Sequence, residues 1–255
     1  MDLLAILSGF AVGAIVGLTG VGGGSLMTPL LLGVFKLHPS LAIGTDLAFA
    51  GLTKAGGAWA HQQQGHVDRR VAGLLLAGSL PAALATLAVM FATDLGKTST
   101  GAMTFTLGLA LLLTAITVAW RKAWHELGVR LQRWIPAHRQ TPLTVASGVL
   151  LGVVVTLTSI GAGAIGATLI LLLHPQLSAQ RVVGTDIAHA VPLTLVAAAG
   201  HAWLGHVDYT LLAALLVGSL PGIWLGARLT TLLPERLIRI LLCTSLVTAG
   251  VKVMT

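Results

Sequence analysis

Two glycine-rich turns are the most chemically suggestive features of this 255-residue sequence. Gly20-Val21-Gly22-Gly23-Gly24 and Gly161-Ala162-Gly163 each stand just before a short apolar run. A helix that begins inside a membrane leaves its first N–H groups unpaired, and its dipole places partial positive charge at that end. Glycine lets an anion approach those amides closely, so such a site needs no buried lysine. Thr19, Ser25, Thr158 and Ser159 stand beside the turns as hydroxyl donors. On this reading Thr19, Gly22, Gly23, Gly24, Ser25, Thr158, Ser159, Gly161 and Gly163 line a substrate site. The competing reading is that the glycines only let helices pack closely.

Four further groups could act on a bound solute. Asp46 and Asp186, preceded by Thr45 and Thr185, open the third and eighth apolar segments. An acid there is costly unless paired, capped or wetted. It is either a helix cap or a group that couples or gates transport by binding a proton or cation. Lys54 lies inside the third segment, where Thr194 stands in the second half. It either binds the anion, snorkels to the interface or pairs with an acid. His189, standing where the first half has Phe49, is a core histidine or a ligand for the substrate. His61 and His201 close their segments beside Gly-His-Val-Asp turns and read as interfacial contacts; no close His/Asp/Glu spacing supports a metal site. The one cysteine, Cys243, excludes an intrachain disulfide and a cysteine-cluster metal site. No catalytic set and no cofactor are expected. Gly161-Ala162-Gly163-Ala164-Ile165-Gly166, with Asp186 downstream, spells a dinucleotide fingerprint. Its flanks are membrane-length apolar runs, however, and no alternating βαβ units follow.

The elements that position these groups are membrane helices. The chain is 55% hydrophobic and 9% charged, with a mean hydropathy of +0.91. A soluble domain carries about 25% charged residues, so lipid must be the solvent for much of this surface. The net charge of +7 sits in loops without a basic, aromatic-interleaved face, which argues against nucleic acid. Met1-Asp2-Leu3 lacks the basic start of a secretory signal, so the first apolar stretch is expected to be retained. Apolar segments run over 3–19, 25–35, 41–60, 71–92 and 99–120, then 143–158, 164–173, 182–203, 209–232 and 236–254. A spanning helix needs about 20 residues. The second and seventh segments are too short and follow the glycine turns, which predicts re-entrant or discontinuous helices. Pro81 and Pro221 are expected to kink the fourth and ninth helices.

The halves repeat. Gly44-Thr45-Asp46 recurs as Gly184-Thr185-Asp186, His61 as His201, and Gly65-His66-Val67-Asp68 as Gly205-His206-Val207-Asp208. Gly78-Ser79-Leu80-Pro81 recurs as Gly218-Ser219-Leu220-Pro221, all in one register. The expected fold is an all-α membrane protein of two inverted-topology repeats of about five apolar segments each. Residues 1–120 form the N-terminal transmembrane repeat, 121–140 a basic cytoplasmic linker and 141–255 the C-terminal repeat. Arg69, Arg70, Arg121, Lys122, Arg130, Arg133, Arg139, Arg181, Arg228, Arg236 and Arg239 then share one face, and Lys36, Lys97 and Lys252 the other. The positive-inside rule makes the first face cytoplasmic. The expectation is an N-terminus outside, with the termini on opposite faces.

Gly20-Val21-Gly22-Gly23-Gly24-Ser25-Leu26-Met27-Thr28-Pro29 followed by Ala42-Ile43-Gly44-Thr45-Asp46 resembles the TauE/SafE sulfite-exporter family, also called the toluene-sulfonate uptake permeases. Gly184-Thr185-Asp186 and Gly218-Ser219-Leu220-Pro221-Gly222 resemble its second-half motifs, and the likeness covers nearly the whole chain. The second turn departs from the pattern in lacking three glycines. The resemblance implies a multi-pass carrier of the bacterial inner membrane whose partners are the lipid bilayer and a small sulfur-containing anion, such as sulfite or an organosulfonate. It also implies that the two glycine motifs form the substrate region. The expected function is secondary transport by alternating access, with proton or cation coupling left open, not an enzyme. The rivals are an anion channel and a membrane-embedded enzyme using His189, Asp46 and Asp186. Nothing in the sequence fixes an oligomeric state.

Overall fold

The computed structural model describes residues 3–19, 24–93, 100–229 and 235–254. They form helices α1 (Leu3–Thr19), α2 (Gly24–Gly33), α3 (Pro39–Gln63), α4 (Arg69–Thr93), α5 (Thr100–Ala119), α6 (Arg121–Gln132), α7 (Ala137–Thr158), α8 (Ala164–Leu173), α9 (Ala179–Trp203), α10 (Tyr209–Leu229) and α11 (Glu235–Met254). No strand occurs among the described residues. This is an all-α membrane protein. In hydrocarbon a helix satisfies its backbone polar groups within itself, and these sequences are apolar enough to let lipid meet the outer faces. Trp59, Leu84, Phe91, Trp203 and Trp224 all point outward, more than half exposed.

By length and composition α4, α7, α9 and α10 qualify to cross a bilayer, and α5 with α6 would make a fifth span despite the 80° bend between them. α3 matches α9 in length, but Asp46, Lys54 and the polar stretch at its end lower its hydropathy. The helix over 121–132 departs from the sequence reading, which treated 121–140 as linker only. Its residues alternate basic and apolar at helical spacing, with Leu127, Val129 and Leu131 exposed on it and Gly128 buried against the backbone of Leu171 and Leu172 in α8.

Contacts between the halves come in equivalent pairs. α1 lies along α10, and α4 along α7; α3 pairs with α9, and α5 with α11. Gly218, Gly222 and Gly226 meet Ile6, Phe10 and Ala14 in rising order, so α1 and α10 run parallel. Gly148 and Gly152 meet Leu75 and Ser79 in the same sense, so α4 and α7 are parallel too. Gly44 meets His201 whereas Gly51 meets Thr194 and Leu195, so α3 and α9 are antiparallel and cross at the centre.

The repeated motifs knit the halves together. Each Gly-His-Val-Asp turn places its glycine at positive φ, 69° for Gly65 and 75° for Gly205, where only glycine is unstrained. Its aspartate then caps the next helix: Asp68 Oδ1 accepts from Val71 N, and Asp208 Oδ1 from Leu211 N. The N–H of Asp68 donates to Thr185 Oγ1 at 2.9 Å, and that of Asp208 to Thr45 Oγ1 at 3.0 Å. One joint carries an extra ion pair, Arg181 to Asp68 at 3.0 Å. Leu41 stands at the equivalent place of the other joint. α4 and α10 run on through Pro81 and Pro221 as single helices.

Candidate functional site

The second glycine turn lies in the interior. Ser159, Ile160 and Ala162 are buried. α7 ends at Ser159, which adopts a left-handed conformation (φ 59°, ψ 1°) although it has a side chain. That geometry costs about 1–2 kcal/mol for a residue with a Cβ. Gly161 and Gly163 follow at φ 112° and 141°, values that demand glycine, and Gly163 opens α8. Thr158 Oγ1 turns inward to the chain, donating to the Val154 carbonyl at 2.6 Å and accepting from Ile160 N. The Ser159 hydroxyl has no hydrogen-bond partner among the described residues. Gly166 N bonds back to the Gly161 carbonyl at 2.9 Å, but the N–H groups of Ala164 and Ile165 have no acceptor among the described residues. The broken helix therefore presents bare amides inside the protein, with the Ser159 hydroxyl beside the Asp46 carboxyl.

Lys54 reaches this turn from the other half. Its ammonium group donates to the Ala162 carbonyl at 2.6 Å and is 7% exposed. It interacts electrostatically with both Asp46 and Asp186. Snorkelling is thereby excluded, since the side chain runs inward.

Asp46 and Asp186 are almost fully buried. The capping reading fails for both: α3 begins at Pro39 and α9 at Ala179, so each acid lies about two turns inside its helix. Asp46 Oδ2 accepts from Thr28 of α2, and its carboxyl also interacts with Ser159 and Lys54. Asp186 presses against Gly166 in the first turn of α8, where any Cβ would collide with its Oδ1. Oδ1 of each acid has no hydrogen-bond partner among the described residues. His189, fully buried, faces Ser79 of α4 across 2.9 Å through Nε2. Thr45 and Thr185 are committed to the turns described above.

Of the first glycine turn, Gly22 and Gly23 lie outside the described residues, and only the backbone of Thr19, Gly24 and Ser25 is described. The structure thus brings Ser159, Gly161, Gly163, Lys54, Asp46, Asp186 and His189 into one interior region, and places Thr158 beside it.

Three participants escaped sequence reasoning: Thr28, Ser79 and the Ala162 carbonyl. The residue types gave no signal for the first two, because the halves are identical there, Thr28 with Thr168 and Ser79 with Ser219, and only their partners differ. Thr168, in the place of Thr28, donates to its own helix at Ala164. Ser219, in the place of Ser79, donates to Leu216, since Phe49 offers no ring nitrogen. The Ala162 carbonyl is backbone, which no residue type announces.

A separate open cavity of about 480 Å³ lies between α6, α8 and the start of α9, lined by Arg121, Lys122, His125, Glu126, Leu171, Leu177 and Ala179. Below it the 174–178 strap is tied down by His174 Nε2 to Thr144 Oγ1 at 2.9 Å and by His125 to the Pro175 carbonyl. Burial pushes the His174 imidazole below its usual range, so it stays neutral and can share that bond.

A family model described as "Sulfite exporter TauE/SafE" matches residues 5–253. "Probable membrane transporter protein YjnA" of Bacillus subtilis is 36% identical over 257 residues, covering all of both chains. "Probable membrane transporter protein YdhB" of the same organism is 30% identical over 239 residues, 91% of this chain and 92% of that one. No solved structure matches the chain significantly.

Proposed function

Because the chain belongs to the TauE/SafE sulfite exporter family, and so is a multi-pass membrane transporter, we propose that it is a secondary carrier of small anions, sulfite or organosulfonates, across the bacterial inner membrane by alternating access. One observation carries the reading: a broken-helix turn with unpaired amides is buried against Lys54, the one buried lysine among the described residues, supplied by the opposite half. Fixed partial charges and one full charge in a dry site favour an anion without a large hydration cost. Thr19, Gly22, Gly23, Gly24 and Ser25, the sequence counterpart in the first half, are assigned to the same substrate site. Asp46 and Asp186 couple and gate.

The halves are read as inverted repeats. Support comes from helix directions: α4, α7 and α9 run one way, α1 and α10 the other, so equivalent helices α1 and α7 oppose each other. Two such halves, each crossing an odd number of times, bring the chain back to its starting face. The opposite-face expectation for the termini therefore cannot follow from the repeat, and Lys252 shares the outer face with Lys36. Reporter fusions at the two ends should both report the periplasm, and a fusion within 133–139 the cytoplasm; a cytoplasmic N-terminus overturns this orientation.

The substrate class is tested by thermal shift of purified protein against sulfite, thiosulfate, sulfoacetate, sulfate and chloride. A ligand at about 100 times its Kd adds about 2.7 kcal/mol. At roughly 2–4 °C per kcal/mol that is a rise of about 5–10 °C. Sulfite or sulfoacetate should give it and chloride should not. Stabilisation by carboxylates alone would remove the sulfur assignment.

A further inference from the structure

The site holds two acids and one permanent base, and their placement sets how many protons must travel with the anion. Asp46 and Asp186 are equivalent under the repeat, whereas Lys54 has Thr194 as its counterpart, bonded to its own helix at Ala190. The single ammonium group donates to the Ala162 carbonyl and interacts electrostatically with both carboxyl groups. With both acids ionised the interior would carry a net negative charge, which a low-dielectric site does not tolerate and which would repel the substrate. With one acid protonated the empty site is neutral. Bringing in a monovalent anion restores neutrality only if the second acid is protonated too.

We propose, building on the carrier reading above, that each monovalent anion enters with one proton, taken up on an oxygen of the second of the two carboxyl groups, so that transport is electroneutral proton–anion symport. Lys54 supplies the fixed positive charge of the site, so the charge balance needs no sodium. The two acids are not equal in this conformation. Thr28 donates to Asp46, which suits a carboxylate. Thr168 bonds its own backbone instead and leaves Asp186 without such a donor, so Asp186 carries the resident proton and Asp46 receives the travelling one.

The groups facing these acids are few. Asp46 meets Thr28 of α2, Ser159 at the end of α7 and Lys54 on its own helix. Asp186 meets Lys54 of α3 and packs on Gly166 of α8. His189, one turn along α9, is engaged with Ser79 of α4 and feels Lys54.

Proteoliposomes test this with labelled methanesulfonate, an anion that carries no proton of its own at neutral pH. Uptake should follow an imposed pH gradient, move one proton per anion as read by an internal pH dye, generate no current and ignore sodium. Current-carrying flux without proton movement, or a sodium requirement, overturns the proposal. The double variant Asp46→Asn/Asp186→Asn keeps the loaded charge state permanently. It should lose accumulation driven by the pH gradient, and any methanesulfonate uptake that remains should move no proton. Retained accumulation overturns the proposal. If that variant does not fold, proton uptake by native protein in detergent on adding methanesulfonate decides it, at one proton per chain against none. If methanesulfonate is not carried but chloride is, the sulfur assignment falls and the proton ratio is read with chloride. If neither moves, the carrier reading falls and this proposal with it.

Discussion

Replacing Lys54 by methionine is expected to weaken anion binding and uptake about 100-fold or more while leaving a folded protein. Methionine conserves the volume and apolar length of the side chain, so core geometry changes little. What disappears is the one buried Lys or Arg charge among the described residues. Removing one member of a buried charged set costs about 3–5 kcal/mol when the remainder stays ionised. Asp46 can escape that cost by taking a proton, so the empty protein survives. The loaded protein has no such escape, because the anion would then be buried with no cation beside it. A loss of about 3 kcal/mol in binding is more than a hundredfold in Kd. Lys54→Arg keeps the charge but replaces a compact donor with a planar fork, and should restore part of the activity. Thr194→Ala is the matched control in the other half: its hydroxyl bonds only its own helix, at Ala190 and Val191, and uptake should stay within about twofold. Binding is read by thermal shift and uptake in proteoliposomes. A Lys54→Met protein with native Kd would show that the amides of the turn alone hold the substrate.

The same residue shows what the sequence could and could not reveal. Lys54 and His189 stood out because duplication makes asymmetry visible: each replaces an apolar or neutral partner in a repeated frame. Helix existence was equally legible, since apolar runs bounded by glycine and proline fix membrane helices to within a few residues. The limits lay in tertiary choices. Asp46 and Asp186 looked like caps because apolar character starts later than the helix does; Pro39 and Ser178, not the acids, begin α3 and α9. Thr45 and Thr185 were read with the acids they precede, yet each accepts an N–H from the turn of the opposite half. That bond joins residues more than a hundred positions apart, and no local pattern encodes it. The amphipathic α6 was hidden by its own charge, which reads as linker until its apolar positions are set at helical spacing.

Substituting Gly222 by leucine should be the most destabilising single change outside the site. Gly218, Gly222 and Gly226 form one stripe along α10, four residues apart, and a Cβ on any of them would collide with the backbone of Ile6, Phe10 or Ala14 in α1. Because lipid chains are as apolar as side chains, membrane helices gain little from hydrophobic burial and associate through close backbone approach. Leucine at 222 forces α1 and α10 apart. Overpacking of this kind costs about 1–3 kcal/mol, and the neighbouring glycine contacts would be lost with it. A melting temperature lower by at least about 5 °C is expected. Gly73→Leu on α4, where nothing lies within 4 Å, should change it by no more than about 1 °C. The equivalent change on the other pair of helices separates stability from function. Gly152 of α7 abuts Ser79, which is the partner of His189. Gly152→Leu should therefore lower both melting temperature and anion affinity, whereas Gly222→Leu, at the seam whose serine is Ser219, should spare the affinity of the protein that remains folded. Equal loss of affinity in both variants would mean that the two seams act on the site alike, and that His189 and Ser79 give the second half no special part in it.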